Sequence, residues 1–181
     1  AEKAARNSAQ VEAIAHITQG LELLTTLPAT PERSQQELAL YIALGASLIA
    51  TKGYAAPEVG ETYTRARQLC GSLDDPHQLF PVLRGLWNYY NVRADFRTAH
   101  ELGEQLLALA QQVRDPSMLC AAHRALGATL FWMGTAADAH THFTQSIALY
   151  DSQQHRTYAF LYGEDTGVMC QSFAARALWY L

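Results

Sequence analysis

Seven histidines, three cysteines and a scatter of carboxylates are the side chains of this chain that could carry chemistry. A metal centre needs three or four such ligands converging on one point, and local spacing is its first sign. His140 and His142 stand two apart in a helical stretch, which turns them about 160° away from each other on a wheel of 3.6 residues. No HExxH, HxxxH or mixed Cys/His cluster accompanies them. Cys70, Cys120 and Cys170 form no CxxC pair, and each falls within a helical pattern, so they read as small buried thiols. Glu61, Glu101 and Glu104 have no carboxylate partner at a fixed spacing and read as solvated faces. No glycine-rich phosphate loop is present, and no serine sits in a nucleophile elbow. The expectation is therefore a chain with no catalytic residues, no metal and no cofactor.

Composition narrows the class of role. The chain has 181 residues, 49% of them apolar, which suffices for a substantial core. Only 17% are charged, a low share that suggests faces covered by something else. The formal net charge of −4 argues against a general nucleic-acid or anionic-membrane binder. No apolar run approaches the ~20 residues of a membrane span, and no signal peptide is visible. Together with unpaired cysteines, this makes the cytoplasm the expected compartment.

The elements that would position any site repeat along the chain. Asp75-Pro76 recurs as Asp115-Pro116, Leu79 as Leu119, Arg84 as Arg124 and Leu86 as Leu126. Ala99-His100 recurs as Ala139-His140, Gln105 as Gln145, and Ala108-Leu109 as Ala148-Leu149. These are ten identities at a spacing of 40 residues, where ordinary residue usage gives about two. A period of this size marks one supersecondary unit stacked on copies of itself.

Helical period dominates throughout. Val11, Ile14, Ile17, Leu21 and Leu24 lie at steps of three and four, up to a break at Pro28. Thr30 is placed to cap a second helix with Pro31 at its first position, and Gly53 to end it. A third helix follows Pro57. Asp75-Pro76 and Asp115-Pro116 open two more, with Pro81 expected to bend the first or delay its start. Their partner helices run from about Phe96 to Val113 and from Thr135, as cap, to about Tyr150. Residues 151–165 fit neither the repeat nor a clean helix, and Tyr158, Phe160, Leu161 and Tyr162 read as an inserted turn. Thr166 opens a last helix. The reading is about eight helices with antiparallel sequential neighbours.

Within each unit the pattern resembles a tetratricopeptide repeat. The match is good in Leu126-Gly127, Ala139, Phe143 and Ser146, and recognisable in Tyr41, Leu44-Gly45, Tyr63 and Ala66. It is degenerate in the middle unit, where Trp87 replaces glycine ahead of Ala99, Gly103 and Leu106. Ala13, Ile17 and Gly20 look like a lone second helix, and Leu178-Trp179-Tyr180-Leu181 resembles Leu130-Phe131-Trp132-Met133. The long repeat is similar to the variant found in bacterial signalling ATPases, both the AAA proteins linked to adenylate/guanylate cyclase and the STAND-type regulators. The resemblance implies an all-α superhelix, a solenoid of antiparallel hairpins. Residues 1–27 would be the second helix of a preceding repeat; 30–74, 75–114 and 115–151 would be three repeats. Residues 152–165 would be an irregular insert, and 166–181 the first helix of a further repeat.

The same resemblance puts the first helices along a groove. Arg84, Asn88, Asn91, Arg124, Phe131 and Arg176 would face it, and Trp179 would continue the row. A guanidinium and an amide on adjacent turns can grip a carboxylate, so an acidic protein or peptide is the expected partner. Reversing Arg84 and Arg124 to glutamate would then abolish binding without disturbing the fold. The expected role is a non-catalytic protein-interaction scaffold, the sensor region of a larger cytoplasmic signalling protein, in contact with its neighbouring domains. The alternative is a small-ligand sensor with Trp87, Tyr89, Tyr90, Phe131 and Trp132 lining a pocket between hairpins. The apolar C-terminal end implies either further repeats or self-association.

Overall fold

Proline and aspartate punctuate the backbone where the sequence places them. The computed structural model describes residues 2–71, 75–151 and 165–181, and the inserted turn expected at Tyr158 to Tyr162 lies outside these. Eight helices occur among the described residues: α1 (Glu2–Thr25), α2 (Pro31–Lys52), α3 (Pro57–Cys70), α4 (Pro76–Val92), α5 (Phe96–Val113), α6 (Pro116–Trp132), α7 (Ala136–Leu149) and α8 (Thr166–Trp179). No strand is present among those residues. No helix among them is long and apolar enough to cross a membrane.

Local chemistry explains most of the boundaries. The Arg33 amide donates to Thr30 Oγ1 at 3.2 Å, and Pro31 occupies the first turn of α2. Asp115 accepts from the amides of Ser117 and Met118 at 2.7 and 3.1 Å, satisfying two donors that the first turn of α6 leaves open. Asp95 and Asp165 cap α5 and α8 in the same way. Pro81 stays inside α4 and does not delay its start. Thr135 departs from expectation. Its hydroxyl makes no cap bond to α7 but donates backwards at 3.0 Å to the Leu130 carbonyl at the end of α6, which also accepts the Thr135 amide.

The tight connections carry the repeat in their backbone. Gly134, between α6 and α7, has φ of 85°. Ala94, 40 positions earlier between α4 and α5, also has positive φ, at 60°. That conformation is costly for a residue with a Cβ.

The chain divides into two compact units, Ala1–Val92 and Arg93–Leu181, with the division falling inside the 75–114 segment. In the first, α1 packs on α2, α2 on α3 and α3 on α4. In the second, α5 packs on α6, α6 on α7, and α8 on both α7 and α6. Contact register shows the sense of packing. His123 meets His142 and Cys120 meets Ser146 across α6 and α7, so those helices are antiparallel. Ser146 meets Cys170 and Phe143 meets Phe173 across α7 and α8, giving the same sense.

Glycine seats aromatic rings in both units. In the first, Tyr63 of α3 lies against Gly45 of α2 and Gly85 of α4, where an added Cβ would fall 2.5 and 2.4 Å from ring atoms. In the second, the Phe143 ring of α7 fills the same kind of space at Gly127 of α6. A side chain in place of hydrogen would hold these helices apart.

Candidate functional site

The six residues expected to face a partner take three different environments. Arg84 on α4 and Arg124 on α6 are buried, with 1% and 6% of their surface exposed. Asn88 and Asn91 are half-buried on α4. Phe131, at the end of α6, is half-buried, and Arg176 on α8 is exposed. Burial of the two repeat arginines changes what charge reversal there would do. A glutamate at either position would be stranded out of water, and the fold would suffer with any binding.

The structure brings Phe131 and Arg176 together. Helix α8 lays Gly167, Cys170, Ala174 and Ala177 inward, all buried and small, so it approaches its neighbours closely. This carries Phe173 to Phe131, with ring centroids 5.3 Å apart and planes at 87°. Trp132 meets Phe131 edge-on at 5.4 Å, and Tyr180 joins at 5.9 Å. Phe143, buried on α7, supports Phe173 at 5.7 Å. Arg176 sets its guanidinium carbon 5.1 Å from the Phe173 centroid, 5.3 Å from Phe131 and 6.0 Å from Trp132. An exposed cation–π contact is worth about 0.5–1 kcal/mol. Its larger effect here is to fix a guanidinium at the surface while its N–H edge remains able to fork onto a carboxylate. Trp132 and Tyr180 are themselves exposed beside it.

The tyrosines expected in a pocket lie in the first unit. Tyr89 and Tyr90 pack edge to face, 5.1 Å apart, at one wall of an open depression of about 410 Å³. Pro57, Gly60, Glu61, Thr64, Arg65 and Gln68 of α3 form the rest. Gly60 lets the Tyr89 ring lie close against α3, since a Cβ there would fall 2.6 Å from it. Trp87 does not join them, being fully buried in α4.

Two clusters in the second unit were not visible as motifs. His123 and His142 face each other across α6 and α7 with Nδ1 atoms 3.0 Å apart. Burial holds both imidazoles below the ordinary histidine value; His142 lowers His123 further, while at His142 the Asp138 charge pulls upward and His100 adds a smaller downward push. Deeper in, the Ser146 hydroxyl donates to the Cys120 carbonyl at 2.8 Å and accepts from the Cys170 thiol at 3.2 Å. All three cysteines are buried thiols outside any disulfide, and burial pushes the Cys70 thiol up, helped by the nearby Asp75 charge.

Glu61, Glu101 and Glu104 lie on exposed positions. Glu101 pairs with Arg97 at 3.4 Å, and Glu104 approaches His100 at 3.8 Å. Among the described residues no group of three His, Cys, Asp or Glu side chains is placed to hold a metal ion. No family model matches the chain, and no curated protein matches it.

Proposed function

We propose that this chain is a tetratricopeptide-like scaffold that binds an acidic segment of a partner protein, within a larger cytoplasmic signalling protein. The single observation that carries the reading is the Arg176 guanidinium held over Phe131 and Phe173 beside the exposed Trp132. Aromatic rings offer broad contact area at small entropic cost, and a fixed guanidinium supplies direction. A peptide with a carboxylate next to an apolar side chain matches both at once. The role is non-catalytic, requires no metal or cofactor, and involves neither nucleic acid nor membrane. The 40-residue sequence repeat, the hairpin-like pairing of α6 with α7 and the glycine-seated rings support the solenoid reading.

An array of acidic peptides probed with the purified chain tests this. Peptides pairing Asp or Glu with Phe, Leu or Trp should bind the native chain and lose at least tenfold in affinity to the Arg176→Glu variant. Equal binding by the two would end the proposal. The open depression beside Tyr89 and Tyr90 favours a second reading, a small-ligand sensor, because its volume falls within the range of small-molecule sites. There, Tyr90→Ala would remove ligand-induced thermal stabilisation while leaving peptide binding at Arg176 intact.

A further inference from the structure

We infer that the facing imidazoles of His123 and His142 chelate a divalent transition-metal ion that takes ligands at right angles, copper(II) or nickel(II), and that the ion clamps α6 to α7. The inference does not rest on the peptide-binding reading, and the ion is not a requirement of that role. Local spacing could not show the site, because its two donors stand 19 positions apart on different helices.

The distance between the donors selects the ion. Their Nδ1 atoms lie 3.0 Å apart, with ring centroids at 5.2 Å and planes tilted by 40°. A hydrogen bond accounts for that contact when one Nδ1 carries a proton and the other does not. The same spacing is that of two ligands on one ion. Imidazole nitrogens sit about 2.0–2.1 Å from a divalent ion, so a right angle at the metal separates them by about 2.9 Å and a tetrahedral angle by about 3.3 Å. The observed spacing is nearer the right angle, which tetragonal and square-planar ions provide and tetrahedral zinc does not. A small turn of each ring about its Cβ–Cγ bond, a soft torsion in histidine, brings both lone pairs onto one point.

The surroundings suit a cation. Contacts of Cys120 with Ser146 and of Gly127 with Phe143 flank the pair, so packing holds the backbone spacing and the donors need little reorganisation. Both histidines are half-buried, so water can reach an ion between them. No third His, Cys, Asp or Glu among the described residues completes the set, and water fills the remaining positions. Exposed Asp138 stands one turn before His142 on α7, and its charge reaches that ring, which favours a cation there. His100 of α5 opposes it only when it carries a proton. Burial keeps the facing imidazoles neutral at about pH 7.5. As the ion enters, the proton between them moves from Nδ1 to Nε2 of the same ring, and no net proton is released.

Copper(II) and nickel(II) chloride, each titrated alone into the chain without a histidine tag at about pH 7.5, test this by calorimetry and thermal melting. A saturating ion should raise the melting temperature of the native chain by about 5 °C. His123→Asn and His142→Asn should each weaken binding about tenfold or more and lose the shift. His140→Asn, which removes a histidine from another face of α7, should keep both. Copper on the native chain should show two nitrogen donors in its electron paramagnetic resonance spectrum. That spectrum keeps the test independent of how well the variants fold, and fewer than two nitrogen donors overturns the inference. So does a native chain whose melting temperature the ions leave unmoved, or a shift that survives in both His123→Asn and His142→Asn.

Discussion

Adding one methyl group at Gly85 should destabilise the first unit. Two effects of opposite sign compete there. Replacing a helix-interior glycine by alanine favours the helix by about 1 kcal/mol. Against this, the new Cβ would sit 2.4 Å from Cε1 and Cζ of Tyr63, where carbon atoms pack at about 3.5–4.0 Å. The ring must retreat by roughly 1 Å. It has nowhere to go: a Cβ at Gly45 would also fall 2.5 Å from the ring. With a carbon–carbon bond of about 1.5 Å, both glycine α-carbons already lie within about 4 Å of it. Forcing a methyl group into a filled core costs about 1–3 kcal/mol and more where neither wall yields. The balance for Gly85→Ala is a loss of about 1–2 kcal/mol, a fall of roughly 3–8 °C in melting temperature. Gly20→Ala is the control. Its Cβ meets only the flexible tip of Leu40 at 3.3 Å, so propensity wins and the melting temperature holds or rises. A Tyr63→Leu background supplies the decisive measurement, since Gly85→Ala should there become neutral or stabilising. If Gly85→Ala melts like the native chain, or costs as much with Tyr63 removed, the ring-seat argument is wrong.

Three further outcomes follow from the geometry. Ala94→Gly should raise stability by about 1 kcal/mol, because its φ of 60° strains any residue with a Cβ; Gly134→Ala should do the reverse, both read by denaturant midpoint. Acidification should destabilise the second unit through His123 and His142, whose folded-state values lie below the ordinary 6.5. The unfolded chain takes up protons first as pH falls through that value, so stability is whole above it, declines below it, and levels off once the folded histidines also protonate. Melting temperatures between about pH 8 and pH 5 should show a shallower decline in His142→Asn, and an identical slope would discount the pair. Ser146→Ala removes the donor to the Cys120 carbonyl and the acceptor for the Cys170 thiol in a fully buried site. It should cost about 1–2 kcal/mol in chemical unfolding, and an unmoved midpoint would show the cluster to be energetically idle.

Helix boundaries were legible because their signals are local. Thr30-Pro31, Asp115-Pro116 and Gly53 act within one turn of themselves, and each does in the structure what its chemistry predicts. Thr135 shows the limit of that logic: an N-cap residue has two helix ends within reach, and here the carbonyl of the preceding helix captured its hydroxyl. Ala94 shows another. Only the comparison with Gly134 one period later could reveal that its backbone is left-handed.

The candidate site was legible only where one helix carries the information. Phe173 and Arg176 lie three apart on α8 and so share a face, which was readable from spacing alone. That Phe131 joins them depends on how closely α8 approaches α6, and this is set by the row of small residues from Gly167 to Ala177. The facing of His123 with His142 depends in the same way on Gly127 admitting Phe143. The repeat arginines mark where a positional rule taken from resemblance stops being sufficient. A rule based on position in the repeat put Arg84, Arg124 and Arg176 in one row, but what covers each decides what it can do. Arg84 and Arg124 are buried, whereas Arg176 is exposed on α8 and so keeps its charge at the surface.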